Sequence, residues 1–176
     1  DYNTRIDGAA ASKSDFYSNP KDYHTDFLKY ARLSELFIAG HYYSADSPYL
    51  FTREDAKSAD FKIRTVADIS CDIDGPVAST IKPSTIAEPI YGYNPQTESE
   101  DDFLKSDVIA VMAVDNLPCE LPKDASVDFG AEMIKHILPC LLGDDPEKVI
   151  ARATICESGN LTSYYQYLNN YVLGEG

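Results

Sequence analysis

The sequence predicts an α/β fold: the distal half of a Rossmann-like parallel sheet followed by C-terminal helices. Short apolar runs at 36–40, 65–69 and 108–114 are separated by helices or long connections, the alternation of a parallel sheet. The run at 108–114 is uninterrupted, the composition of a strand buried on both faces. Each run stops at polar residues, His41, Ser70 to Asp72, and Asp115 with Asn116. Open α/β sheets bind their ligands in the crevice beyond such strand ends.

Composition narrows the function classes. The chain has 176 residues, 44% hydrophobic and 25% charged, enough for one good core or two small ones. Its net charge of −14, from 29 acidic against 15 basic residues, speaks against nucleic-acid or anionic-membrane partners, which need a basic face. There is neither an apolar span of membrane length nor a signal peptide. Cys71, Cys119, Cys140 and Cys156 are widely spaced, and no histidine adjoins any of them in sequence. No metal site is therefore expected, and reduced thiols in a cytoplasmic protein are the reading. The polar start, without Met, suggests a fragment of a longer gene product.

Taken in order, residues 1–18 are polar and aperiodic, a connecting loop or cut end. Asn19 and Pro20 give a cap and a first helical proline, and Tyr23, Phe27, Tyr30 and Ala31 recur at helical spacing, so a helix is expected over about 20–32. The buried strand expected at 36–40 ends in Gly40, where another backbone or a ligand can approach. Thr52 to Asp55 is a capping-box-like start to a short helix. After the strand at 65–69, residues 75–95 are β-prone but broken by four prolines, which implies irregular edge strands and turns. Residues 97–102 read as an acidic loop.

Beyond the third strand, Pro118 and Pro122 stiffen the exit. Asp124 is expected to cap a helix with Phe129, Met133, Ile134, Ile137, Leu138 and Leu141 on one side, stopped by Gly143. Asp145 and Pro146 open another helix to about Thr154. Gly159 and Asn160 turn the chain into a last helix whose tyrosines, Tyr164, Tyr165, Tyr167 and Tyr171, surround it on several sides. That is more than one buried face needs, so contact with a further domain or a second subunit is expected. The phosphate-binding G-x-G-x-x-G turn is absent, so the first half of a dinucleotide-binding domain would lie upstream. The expected division is 1–18 as connector, 19–117 as the distal half of that domain, and 118–176 as an interdomain crossover helix with C-terminal helices.

Among candidate groups, Asp115 at a strand end can orient a cationic amine, or it can cap its own turn, as Asp and Asn commonly do. Asn116 carries the same two readings. Asp72 to Gly75 resembles the opening of a calcium loop, but the later acidic ligands are missing and a turn is expected. Cys71 has no adjoining histidine and nothing to lower its pKa, which argues against a nucleophile. His41 suits acid–base work near neutrality or a partly buried strand end. His24 and His136 fall on helices as ordinary surface or interface groups.

Three blocks resemble one family. Residues 36–43 (LFIAGHYY), 66–76 (VADISCDIDGP) with Thr85-Ile86 and Tyr93-Asn94-Pro95, and 114–126 (VDNLPCELPKDAS) are similar to the lysine-ketoglutarate reductase and lysine-forming saccharopine dehydrogenase family, within a wider group holding alanine dehydrogenase and the nicotinamide nucleotide transhydrogenases. The resemblance implies an NAD- or NADP-dependent oxidoreductase interconverting saccharopine with lysine and 2-oxoglutarate. It places Ile69, Ser70, Cys71 and Asp72 beside the nicotinamide half of the cofactor, where the small Cys71 would pack. Val114, Asp115, Asn116 and Leu117 would close over the same region, and Gly40, His41 and Tyr42 would lie near the adenosine or pyrophosphate part. The family's catalytic Lys and His and its substrate-binding arginines belong to an N-terminal domain, so no catalytic residue is expected in this chain. Ala39 and Tyr43 stand where family members often carry Asn and Trp, which leaves the exact substrate open. A non-catalytic relative of the fold and an alanine-type amino-acid dehydrogenase are the alternatives.

Overall fold

The computed structural model describes residues 2–44 and 46–175. They fall into two compact units, Asp1–Glu120 and Leu121–Gly176.

The first unit departs from the sequence expectation at its start. Strand β1 (Asn3–Arg5) pairs antiparallel with β2 (Tyr23–Thr25), and helix α1 (Lys13–Ser18) comes between them in the chain, capped by the Ser12 hydroxyl. The connecting loop read at 1–18 therefore holds a strand and a helix. Arg5 organises it: its guanidinium joins Asp7 and Asp15, and Asp15 accepts a 2.6 Å hydrogen bond from the Tyr23 hydroxyl. The helix expected over 20–32 is divided into a 3-10 turn (Pro20–Asp22), β2 and the short α2 (Leu28–Ala31). Strand pairing overrides helical spacing at Tyr23, while Phe27 and Ala31 still reach the core.

Strand β3 (Leu36–Ala39) and helix α3 (Arg53–Ala56) form as expected; the Thr52 hydroxyl accepts from the Asp55 N–H and the Asp55 carboxylate accepts from the Thr52 N–H. Then come β4 (Thr65–Asp68), β5 (Tyr91–Asn94), β6 (Ser99–Asp101) and β7 (Ile109–Met112), in the sheet order β3-β4-β7-β5-β6. Strands β3, β4 and β7, on one side of the sheet, are parallel, as the fold class requires; β5 and β6 continue it as antiparallel strands. The acidic stretch expected to be a loop is thus one arm of a hairpin, turned where Asn94 Oδ1 accepts from the Gln96 N–H.

Phe37, Val66, Val111 and Tyr91 follow one another across the register and are packed on one face of the sheet, with Phe51, Phe61, Ile63 and Val77 against them. Burying such side chains contributes roughly 1.5–3 kcal/mol each. The other face is half-buried at Ala110 and Met112 and exposed at Leu36 and Ile38. The strand expected to be buried on both faces is therefore fully buried on one.

In the second unit α4 (Pro122–Glu132) starts at its proline, and Asp124 sits in the first turn instead of capping. A π turn (Met133–Ile137) leads into α5 (Leu138–Leu142), which ends at Gly143. Helix α6 (Val149–Ala153) begins later than expected: the Asp145 carboxylate reaches forward to accept from the N–H groups of Val149 and Ile150 at 2.6 and 2.9 Å. A β8 (Cys156–Glu157) and β9 (Asn160–Leu161) hairpin follows, turned by Gly159 at φ +82°. The single last helix expected is instead a 3-10 stretch (Ser163–Leu168), kinked at Tyr165, and α7 (Asn169–Leu173). None of this unit's described residues is fully buried.

Two outcomes follow from the β5–β6 hairpin. A Cβ at Gly92 would lie 2.4 Å from the Asp101 carbonyl oxygen and 2.6 Å from Val108 Cγ1, whereas one at Gly40 would meet nothing within 4 Å. Gly92→Ala should cost about 1–3 kcal/mol in urea denaturation of the full-length protein, with Gly40→Ala close to wild type. The Asp101 carboxyl is held at about 2, below its ordinary 3.8, first by Lys105, then by Asn94 and the Asp102 N–H. A value lower in the folded than in the unfolded chain stabilises above the unfolded value, and that gain is lost as pH falls from 3.8 toward about 2. Asp101→Asn should therefore flatten the fall of Tm over that acid window.

Candidate functional site

Parallel strands end on the same side. The pairing of Ala39 with Asp68 and of Ala67 with Met112 brings the carboxyl ends of β3, β4 and β7 together, so Gly40 to Tyr42, Ile69 to Asp72 and Val114 to Leu117 form three neighbouring loops.

The first two loops are joined by Ser70. Its oxygen accepts from the His41 N–H at 3.0 Å and its hydroxyl donates to the His41 carbonyl at 2.8 Å. The His41 ring is half-buried, and its Nε2 is buried with no hydrogen-bond partner among the described residues. Gly40, His41 and the exposed Tyr42 line a cleft of about 510 Å³ together with Tyr2, Asn3 and Lys13. Asn3 Oδ1 is a second buried polar atom without a partner there among the described residues.

The second and third loops meet at Cys71, whose thiol donates to the Ala113 carbonyl at 3.2 Å. Cys71 stands at φ +53°, a left-handed conformation uncommon for a residue with a side chain. Burial and the charges of Asp68, Asp115 and Asp72 push its thiol pKa up, the reverse of what a nucleophile needs. Asp72 is raised by partial burial and by Asp68, with His41 opposing. Ile69 is half-exposed.

In the third loop Val114 is buried and bridges to Ser84, whose hydroxyl accepts from the Ala113 N–H and whose own N–H donates to the Ala113 carbonyl, both at 2.9 Å. Asp115 and Asn116 are exposed and Leu117 half-buried. The turn closes through its backbone, the Cys119 N–H donating to the Asn116 carbonyl at 3.1 Å.

Three polar residues that hold this corner escaped the sequence reading: Asp68, Thr80 and Ser84, all buried. The one signal available was a carboxylate inside the apolar run of β4, since Asp is almost never buried without partners. Thr80 and Ser84 carry no such mark.

The three loops contain Asp72 and Asp115 and neither Lys nor Arg. They are chemically suited to a neutral or cationic group, not to phosphate.

No family model matches the chain. It is 29% identical over 164 residues, 89% of its length, to alpha-aminoadipic semialdehyde synthase of Arabidopsis thaliana. It is 26% identical over 171 residues, 83% of its length, to the mitochondrial alpha-aminoadipic semialdehyde synthase of Mus musculus, and 25% identical over the same length to that of Bos taurus. The chain is a homologue of these synthases. This is the family that its three blocks resemble. The chain spans only 15–18% of the length of these relatives. None of its helices, among the described residues, is long and apolar enough to cross a membrane.

The raised, half-buried Cys71 thiol should react more slowly with a maleimide at pH 7.5 than the exposed Cys119 and Cys156; peptide mapping of the labelled protein at successive times reads the order directly.

Proposed function

We propose that the chain is part of an NAD(P)-dependent oxidoreductase acting on the CH–NH bond of saccharopine, interconverting it with lysine and 2-oxoglutarate. The observation that carries this reading is the convergence of the three loops at the carboxyl ends of parallel β3, β4 and β7, the place where open α/β sheets take a nucleotide. The names of the relatives support it: they act in the chemistry of alpha-aminoadipic semialdehyde.

The residues present fit part of such a cofactor. The partnerless His41 Nε2 and Asn3 Oδ1 beside the open backbone at Gly40 offer polar contacts to the adenosine side. The loops Ile69 to Asp72 and Val114 to Leu117 would hold the nicotinamide side, which is uncharged when reduced and cationic when oxidised. When bound, the nicotinamide supplies or accepts the hydride. The protein's part in this chain is to bind and orient. Asp115, exposed at the corner, would accept a hydrogen bond from the substrate's secondary amine or from the nicotinamide ribose. The pyrophosphate would be met by a glycine-rich turn elsewhere in the protein, since helix N-termini and glycine turns are where phosphates are held. The groups that move protons would likewise come from an N-terminal part of the same protein.

On this reading residues 19–117 are the distal half of the cofactor domain, with the β1 and α1 segment packed at its start, and residues 118–176 cross to the rest of the protein. There, or against a second subunit, their exposed apolar side chains would be covered. The cytoplasm stands as the proposed compartment, beside the mitochondrial location in the name of the mouse relative.

The test uses the full-length protein with NADH or NADPH, lysine and 2-oxoglutarate. Asp115→Ala is expected to reduce kcat/KM by about tenfold or more, the scale of one lost charged hydrogen bond of about 1.5–3 kcal/mol, and residues 1–176 alone are expected to show no turnover. Unchanged kinetics in the variant, or robust turnover by the short chain, would overturn the assignment of roles.

A further inference from the structure

Asp68 is 1% exposed, and among the described residues no cation pairs with it. A carboxylate so placed costs several kcal/mol unless hydrogen bonds replace its water, and an apolar side chain would serve the sheet better at the end of β4. Its two oxygens are instead committed to the loop geometry. Oδ2 accepts from the Thr80 hydroxyl at 2.7 Å, and Oδ1 accepts from the Cys71 N–H at 3.1 Å. Cys71 is the left-handed residue, a conformation that costs about 1–2 kcal/mol for a side chain with a Cβ. Thr80 is itself fully buried and holds the far end of the same loop, its carbonyl accepting from the Asp74 N–H at 3.0 Å. An unfavourable buried carboxylate and an unfavourable backbone conformation thus stabilise one another, and the shape they produce is that of the loop Ile69 to Asp72. Held strain of this kind is characteristic of functional corners.

We propose that Asp68 is a positioning residue of the cofactor site: through Cys71 and Thr80 it fixes the loop that faces the nicotinamide half of the dinucleotide, without touching the cofactor itself. The inference rests on the nucleotide reading given above.

The experiment compares binding of NADPH and NADH with binding of ADP-ribose, which lacks the nicotinamide, to full-length protein. The Asp68→Val, Thr80→Val double variant removes both partners together, which leaves fewer orphaned groups than either change alone. It should weaken the dinucleotide by about tenfold to 100-fold, the scale of a loop misplaced by about 1 Å, and leave ADP-ribose within about twofold. Asp68→Asn, which keeps an acceptor for the Cys71 N–H, should recover most of the loss. Thr80→Val alone should give a smaller loss with the same selectivity, and it decides the matter if the double variant does not fold. Equal weakening of ADP-ribose, or no weakening of the dinucleotide, would overturn the positioning role while leaving the nucleotide reading intact. Absence of dinucleotide binding by the wild-type protein would sink both.

Discussion

Three parallel strands can end in a ligand-facing corner only if the backbone groups released at their ends find partners, because unpaired buried N–H and C=O groups are costly. In this protein side chains meet that demand. Asp68 takes the Cys71 N–H, Ser70 closes both backbone polar groups of His41, and Ser84 closes both of Ala113. Each of the three strand ends is thereby tied to a residue of another segment, and the Cys71 thiol joins the second loop to the third.

The charge of the corner follows from the same residues. Asp68, Asp72 and Asp115 lie close enough for Asp68 to raise the carboxyl of Asp72 and for all three to raise the Cys71 thiol. A group bound there gains if it is positive and loses if it is negative. On the proposed reading this would separate the work of the site: a nicotinamide and a substrate amine would suit the acidic corner, and phosphates would need a different surface. The relatives that the chain matches are about six times longer than it.

The two units differ in how they are stabilised. The first has a contiguous core from Phe27 to Ala113. The second has no fully buried described residue, and Phe129, Ile134, Leu142 and Tyr171 are well exposed. Helices so short gain little stability by themselves.

Much of this was legible in the sequence. The apolar runs of β3, β4 and β7, the Thr52 capping box, the Gly143 stop and the polar residues at each strand end are local patterns, and a chain's local preferences are written in its order of residues. The mispredicted elements share a cause. Tyr23 to Thr25 follow helical spacing yet pair with Asn3 to Arg5, some twenty positions away, and Ser99 to Asp101 are acidic yet pair with β5. In both, hydrogen bonds to a partner strand outweigh local preference, and for β2 that partner lies outside any local window of sequence. The corner divides the same way. Sequence alone determined that polar residues follow each strand and which family carries them. Only the tertiary structure decided that Asp68, Thr80 and Ser84 hold those residues in place, because the bonds join groups 3, 12 and 29 positions apart.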